Sequence, residues 1–432
     1  IALKQTAAAK GLLVMGPDCG TAIVNGVGLG FANRVRRGPI GIVAASGTGL
    51  QQVSVRIHQL GSGITHALGT GGRDLSEAVG AATARQGLDL LSRDPDTRVI
   101  VLISKPPSPQ VAGDLLRAAR IFSTNQSKPV VVDFIGYAPP ARQVDNLHFA
   151  ATFDETAELA IQLAALGQAQ GTVPGQAQGT APTDLNLNRF APGQRYLRGL
   201  FSGGTLAYEA LLILQDYVPA VYSNAPLKKG QNVLENSLAS VAHTIVDLGE
   251  DEFTVGRLHP MMDNDLRIRR LRQEAKDPEV AVILLDVVLG YGAHPDPASE
   301  LAPAIASART GAEKAGRYLE VVAVLVGTDE DPQGFDGQAQ QFQAAGARVE
   351  TSNEAAARYV GQLLGATHLA SASHLKSVGL SVLHQPLAAI NVGLESFAES
   401  LAAQDAPVVH VDWQPPAGGN EKLMAILERM RG

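Results

Sequence analysis

The residues with the clearest chemical potential lie where short apolar strands run into small-residue turns. Gly41-Ile-Val-Ala-Ala-Ser-Gly-Thr-Gly49 reads as a buried strand, a turn, and then a helix marked by Leu50, Val53, Ile57 and Leu60. Ser46 suits the N-cap, and Gly47 and Gly49 let backbone N–H groups come close to a ligand. The first N–H groups of a helix lack intrahelical acceptors and carry partial positive charge. Ser46, Gly47, Thr48 and Gly49 therefore form a candidate site for phosphate or carboxylate. A tight strand-to-helix turn also needs glycine for purely structural reasons. The same grammar recurs in Leu200-Phe-Ser-Gly-Gly-Thr-Leu206. There Ser202 is the expected cap, Gly203, Gly204 and Thr205 are candidate anion ligands, and Leu206, Ala210, Ile213 and Tyr217 mark the helix.

Other candidates share the strand-end position. Gly71 and Gly72 sit in a loop after the strand near 64–68, and Arg73 beside them can grip an anion through a guanidinium fork. Asp74 with Glu77 reads as a capping box. Lys105 falls between a strand end and Pro106; a solvated surface lysine is the plain alternative there. Gly290 and Gly292 lead through His294 to Asp296, an expected N-cap, and Pro297 at N1. Lys105, Arg73 and His294 are the candidate catalytic groups. Arg257, His259 and Asp263 form a polar cluster after Gly256. Arginine dilutes a metal reading and a fourth ligand is lacking, so no metal is expected, and surface turn chemistry is the alternative. Cys19 has no base nearby in sequence and reads as a small buried filler; Trp413 reads as core.

The elements that must position these residues come in two ordered sets. Each set has a Gly turn, an Asp-containing loop, a strand opened by Asp-Pro (Asp94 and Asp277) and a proline-punctuated turn (residues 105–109 and 294–297). That order is the mark of a duplicated α/β unit. Strands are expected near 40–45, 64–68, 98–103 and 129–135, then near 197–201, 243–247, 281–288, 321–327 and 347–350. Residues 2–10 read as a helix end and 12–15 as a strand. The tract from Gly167 to Thr180, with its repeated Gly-Gln-Ala-Gln-Gly-Thr, is small, polar and uncharged, as flexible linkers are. Ala389-Ile-Asn-Val-Gly393, a helix and Val408-Val-His-Val-Asp-Trp413 make a further βαβ piece. The expected fold is α/β, with two flavodoxin-like parallel-sheet domains over 38–165 and 193–365, a linker over 166–192 and a βαβ segment over 366–432. Residues 1–37 read as the end of a domain whose front part is missing. In such sheets ligands bind beyond the carboxyl ends of the strands, where every turn above is placed.

Composition narrows the function. With 432 residues there is room for two or three domains, and 45% hydrophobic against 18% charged residues fits packed cores. Aromatics are only 5% and the net charge is −7 with no basic stripe, so a nucleic-acid partner is not expected. A single cysteine excludes an intramolecular disulfide and suits a reducing cytoplasm. No apolar run is long enough for a membrane helix, so no membrane partner is expected.

These segments also resemble known families. Gly41 to Thr48 is similar to the part of the succinyl-CoA synthetase alpha subunit that opens its phosphate-binding helix. Residues 69–74, 94–97 and 128–136 follow that subunit's order, and residues 245–301 resemble the carboxyl-terminal domain of the beta subunit, with Gly290 and Gly292 at its second phosphate-binding helix. That likeness implies two helix starts converging on one phosphate, which makes the turn from Gly290 to His294 the expected second wall of the anion site. A closer resemblance, over essentially the whole chain, is to the FdrA family, a fused relative. It rests on residues 11–20, 63–67, 71–75, 104–107, 202–206, 254–261 and 413–420. The resemblance implies a truncated CoA-binding-like domain at 1–37 and a subunit of a hetero-oligomeric oxamate carbamoyltransferase. Such an enzyme splits oxalurate with phosphate into oxamate and carbamoyl phosphate. Small anions and other subunits are then the partners, phosphate or carbamoyl phosphate the substrate, no cofactor is covalently bound, and CoA would bind through the missing domain. An ADP-forming acyl-CoA ligase is the alternative, and a non-catalytic assembly subunit a third. Two departures speak against a ligase with a phosphohistidine relay. The synthetase's Gly-His-Ala-Gly segment has no counterpart around His148, and Ser104-Lys-Pro-Pro107 stands where the synthetase has an acidic Gly-rich loop. No nucleotide-binding ATP-grasp domain precedes the second repeat.

Overall fold

The computed structural model describes residues 2–16, 18–124, 128–166, 189–228, 230–372, 387–392 and 394–412. The tract from Gly167 to Thr180, Trp413 and the segment up to Asn420 lie outside the described residues. The chain divides into two compact units, Ile1–Ser371 and Ala372–Gly432.

The larger unit opens with α1 (Ala2–Ala9) and a hairpin of β1 (Thr21–Val24) and β2 (Val27–Gly30). There follow β3 (Arg37–Ala45), α2 (Gly47–Gln59), β4 (Ile64–Gly69), α3 (Ala82–Arg93), β5 (Val99–Ser104), α4 (Pro109–Thr124) and β6 (Val130–Phe134). A short hairpin of β7 (Gln143–Val144) and β8 (Leu147–Phe149) then leads into α5 (Phe153–Leu166). The second half runs through β9 (Tyr196–Phe201), α6 (Gly204–Leu214), β10 (Val221–Ser223), β11 (His243–Asp247), α7 (Asp251–Thr254), α8 (Asp265–Glu274) and β12 (Val280–Val288). It ends with α9 (Pro297–Lys314), β13 (Glu320–Val326), α10 (Phe335–Ala344), β14 (Arg348–Glu350) and α11 (Asn353–Ala372). In the smaller unit β15 (Ala389–Val392), α12 (Glu395–Ala402) and β16 (Val408–Val411) form a parallel βαβ piece.

The strand orders are β2-β1-β4-β3-β5-β6-β8-β7 and β10-β11-β9-β12-β13-β14. Without the β1–β2 hairpin, β7 and β10, both reduce to the flavodoxin-like 2-1-3-4-5 order, parallel throughout. The protein is thus α/β with two parallel-sheet units of the same winding. Strand β10 and three further features depart from the sequence reading. Residues 12–15 form no strand. The β1–β2 hairpin is antiparallel and joins the first sheet through β4. The β7–β8 hairpin adds a second antiparallel edge. Residues 21–30 carry an Asn-Gly turn at 25–26, a hairpin signal that the reading of 1–37 as a domain remnant passed over.

Period-2 alternation decides which core each strand residue enters. On β5, Val99, Val101 and Ile103 face a core shared by both halves, while Ile100 and Leu102 face the outer core of the first sheet. On β12, Val282, Leu284 and Val288 face the shared core, and Ile283, Leu285 and Val287 the outer core of the second sheet. Residues of α2, α5, α6 and α11 fill the shared core. Helix α2 is buried nearly all round, so its polar residues bond to the other half. Gln52 Nε2 donates to Thr351 O (3.1 Å), Gln59 Nε2 to Gly327 O (3.1 Å), and His58 Nε2 meets Asp329 at 2.7 Å. Glu209 of α6 ties the halves from the other side, accepting from Phe153 N–H (2.8 Å) and Asn353 Nδ2 (2.8 Å). The two helices that start the repeats are thereby locked side by side.

Candidate functional site

Helices α2 and α6 begin at the carboxyl ends of β3 and β9, the first strand of each repeat. Ser46 is the N-cap of α2; its φ is −162° and its Oγ accepts from Gly49 N–H at 3.1 Å. Its hydroxyl proton points across to the other repeat, donating to Thr205 Oγ1 at 2.9 Å. The expected cap Ser202 is not one: the N-cap of α6 is Gly203, which offers no side chain. Ser202 is instead drawn inward, since its N–H (2.7 Å) and Oγ (2.9 Å) both donate to the buried Asp286. The first N–H groups of α6 are thus left for another acceptor.

Between the helix starts lies a crevice of about 360 Å³. It brings together Ser46, Gly47, Thr48, Gly72, Lys105, Ser202, Gly203, Gly204, Thr205 and His259 from the sequence candidates. Gly49 lies one residue inside α2, and Gly71 turns the neighbouring loop at φ +88°. The glycines are needed for closeness. A Cβ on Gly203 would overlap the Thr48 side chain, and one on Gly204 would strike Asp247 Oδ2 and lie 2.9 Å from Lys105 Nζ.

Several candidates lie elsewhere. Arg73 is exposed and pairs with Asp251 at 3.4 Å. Asp74 forms no capping box with Glu77. It is buried, bonds Lys4 Nζ at 2.6 Å and accepts from Thr83 and Ala84 N–H at the start of α3. The turn with Gly290, Gly292 and His294 is not the second wall, because it packs on the first half: a Cβ on Gly290 would meet Ala32 O, and one on Gly292 would meet Gly30 O at 2.7 Å. His294 faces Glu300 at 3.4 Å, while Asp296 does cap α9, with Pro297 at its start. The polar cluster divides: His259 enters the crevice, whereas Arg257 and Asp263 line a separate hollow with Phe253 and Leu266. His148 sits on β8, away from the crevice. Cys19 lines the crevice half-buried, correcting its reading as a buried filler; burial pushes its thiol up, so it stays protonated. Among the described residues no group of three or more His, Cys, Asp or Glu is placed to hold a metal ion, and no helix is long and apolar enough to cross a membrane.

His259 has a defined role in this setting. Burial, with Arg267 adding, lowers it to about 4, so the ring is neutral near pH 7. Met261 N–H donates to its Nδ1 at 3.2 Å, which leaves the proton on Nε2. Phe31 packs on the ring at 5.1 Å between centroids. A nitrogen that carries its proton donates to an anion and is not a nucleophile toward phosphorus. The crevice therefore offers N–H donors from two helix starts, the Nε2–H of His259 and the ammonium of Lys105. Lys105 lies 5.6 Å over the Tyr208 ring and 4.0 Å from Glu250. Asp247, Glu250, Asp251 and Asp18 line it with negative charge. Asp247 was not singled out from the sequence, although it ends a strand in the repeated Asp-containing loop, the position that carries ligands in this architecture.

The CoA-ligase family model matches residues 200–363. The uncharacterized protein YahF of Escherichia coli K12 is 44% identical over 353 residues, 82% of this chain and 67% of that protein. The malate–CoA ligase subunit alpha of Methylorubrum extorquens is 27% identical over 166 residues, 38% of this chain and 53% of that one. The ADP-forming succinate–CoA ligase subunit alpha of Aquifex aeolicus is 29% identical over 138 residues, 31% and 42% of the two chains. The chain thus spans about half or less of the length of the two ligase subunits. The ligase alpha subunits and the CoA-ligase model together give it a succinyl-CoA-synthetase-like character, and the chain belongs to the family of YahF, with a CoA-ligase domain in its second half.

Proposed function

We propose that this chain is a subunit of an acyl-CoA ligase of the ADP-forming kind, acting where a thioester and phosphate exchange at an acyl carbon. The observation that carries the reading is the meeting of the α2 and α6 starts, Ser46 Oγ to Thr205 Oγ1 at 2.9 Å, beside Lys105 and His259. Phosphate would lie on the N–H groups of Gly47, Thr48, Gly204 and Thr205, with Lys105 and His259 Nε2–H as further partners. Each helix dipole would contribute about 0.3–1 kcal/mol, before direct hydrogen bonds. In the exchange a phosphate oxygen attacks the acyl carbon, the C–S bond breaks and CoA leaves as the thiol. The donors hold the charge on phosphate, and none of the crevice side chains needs to carry the phosphoryl group covalently.

Carbamoyl transfer by an FdrA-type subunit is the second reading. It is favoured by the FdrA-like motifs and by a crevice whose one histidine keeps its proton on Nε2. Arsenate separates the two, because acyl and carbamoyl arsenates hydrolyse spontaneously. The full-length protein with its partner subunits is expected to release CoA from succinyl-CoA or malyl-CoA in an arsenate-dependent way. Release of oxamate from oxalurate, with thioesters untouched, would put carbamoyl transfer in its place. No arsenate effect on either substrate class would leave only the assembly role.

Ser46→Asp tests the location. The carboxylate still caps α2 but adds like charge to the anion's place. Phosphate affinity, read by calorimetry, is expected to fall about tenfold or more. Equal affinities in the two proteins would place the anion outside this crevice.

A further inference from the structure

Asp247 ends β11 with its side chain facing the crevice and is only 2% exposed. Its two oxygens differ. Oδ1 accepts from Gly249 N–H at 2.9 Å, whereas Oδ2 accepts no hydrogen bond among the described residues and lies where a Cβ on Gly204, the first residue of α6, would strike it. A carboxylate oxygen therefore lies beside the place that an anion on this helix start would take. Two negative groups there would repel each other, and among the described residues that line the crevice Lys105 is the only lysine or arginine.

We propose that the crevice is a proton-coupled oxyanion site: a tetrahedral oxyanion binds together with one proton, which resides on Asp247 Oδ2 and is donated to an oxygen of the anion. The inference rests on the anion-binding reading above and names what that site demands of its ligand, an unprotonated acceptor oxygen facing Asp247. Without the proton, Oδ2 would confront the anion. With it, the orphaned oxygen becomes a donor, and its repulsion becomes a hydrogen bond.

The groups around Asp247 set where the proton is held. Burial raises the carboxyl, Lys105 from the loop after β5 opposes this, and Glu250 ahead of α7 adds to it. The Gly249 N–H opposes and Asp286 of β12 adds, and together they bring it to about 7. Arg267 of α8 pairs with Asp286 behind it. Tyr208 of α6 is itself raised, by burial and then by Glu250 and Asp247, and keeps its proton. His259, at about 4, stays neutral across the range of interest. Asp18 and Asp251 complete the charged lining. An added anion raises Asp247 further, so binding near pH 7 draws in a proton. By reciprocity the affinity falls as pH rises through the free-state value.

Sulfate is the probe, because it stays a dianion throughout while phosphate titrates. Calorimetry at constant ionic strength is expected to show wild-type affinity falling about tenfold from about pH 6 to about pH 8. Repeating it in two buffers of different ionisation enthalpy should reveal uptake of about half a proton at pH 7. Asp247→Asn keeps the bond from Gly249 and is expected to bind sulfate equally at all these pH values. Glu250→Gln is expected to keep the fall of affinity with pH but to begin it at lower pH, because Glu250 raises Asp247. A flat wild-type profile, or an unchanged slope in Asp247→Asn, would overturn the coupling while leaving the anion site in place. No sulfate binding in any variant at any pH would remove the anion site itself, and the coupling with it.

Discussion

Arg267→Leu is expected to lower the stability of the larger unit by about 3–5 kcal/mol, because it strips a buried carboxylate of its partner. Arg267 and Asp286 have side chains only 3% and 0% exposed and meet at 3.3 Å. Arg267 also bonds the Asp286 carbonyl and donates to Asn264 Oδ1 at 2.9 Å. Asp286 in turn holds the N–H and hydroxyl of Ser202, just ahead of α6. The pair therefore fixes the turn from which the crevice is built. Denaturant unfolding measures the loss, and a decrease below about 1 kcal/mol would show that Asp286 finds another partner or a proton at little cost. Arg267→Leu with Asp286→Asn should recover much of the loss, since no buried charge is left unpaired and Asn still accepts from Ser202 N–H. The pH dependence has a definite sign. Burial raises Asp286, with Arg267 opposing, so the folded state favours its proton. That contribution is full below the ordinary carboxylate range and is lost as pH rises through the raised value. Removing Arg267 raises Asp286 further, and the deficit of the variant should shrink as pH is lowered.

Gly203→Ala is expected to cost about 1–3 kcal/mol and to abolish anion binding together. The φ of Gly203 is −138°, ordinary extended backbone, so the residue's own conformation tolerates a side chain. The obstacle is Thr48: its Oγ1 would lie 2.7 Å and its Cβ 2.9 Å from the added methyl, with Cγ2 closer still. Thr48 is buried at the start of α2 and is β-branched, so it has little freedom to turn away. Helix α2 must then shift, and the Ser46–Thr205 bond goes with it. Thr48→Gly in the same chain removes the colliding atoms. The double variant should regain most of the melting temperature and some of the sulfate affinity. A single variant as stable as wild type would mean that the two helix starts are not in contact in solution.

Much of the fold was legible because parallel strands buried on both faces leave long apolar runs closed by glycine turns. The duplicated order of Gly turn, Asp loop, Asp-Pro strand and proline turn led to the same 2-1-3-4-5 winding in both halves. The strands added at the sheet edges were less legible. Strands β1, β7 and β10 are two to four residues long, too short for periodicity to register. Strand β1 is held by its partners β2 and β4 and not by a pattern of its own.

The candidate site was legible in part, and the division has a physical reason. Ser46 as cap of α2 and the glycines after both first strands follow from local rules, since capping involves residues three apart in the chain. Which turns meet does not. The resemblance to the synthetase subunits favoured the turn at 290–294 as the partner of Ser46, yet its glycines pack on Ala32 and Gly30. The start of α6 takes that place because α2 and α6 share one core and α9 belongs to another. Ser202 turned away from capping because a buried aspartate 84 residues later claims both of its donors. His259 left its sequence neighbours for the crevice, where packing fixes its proton on Nε2. By itself the sequence determined the α/β class, the duplicated unit and the chemistry of each turn, because these depend on neighbours along the chain. Only the tertiary structure decided which turns face one another and that Asp247 stands among them, because burial and charge at a crevice are set by residues that meet from distant parts of the chain.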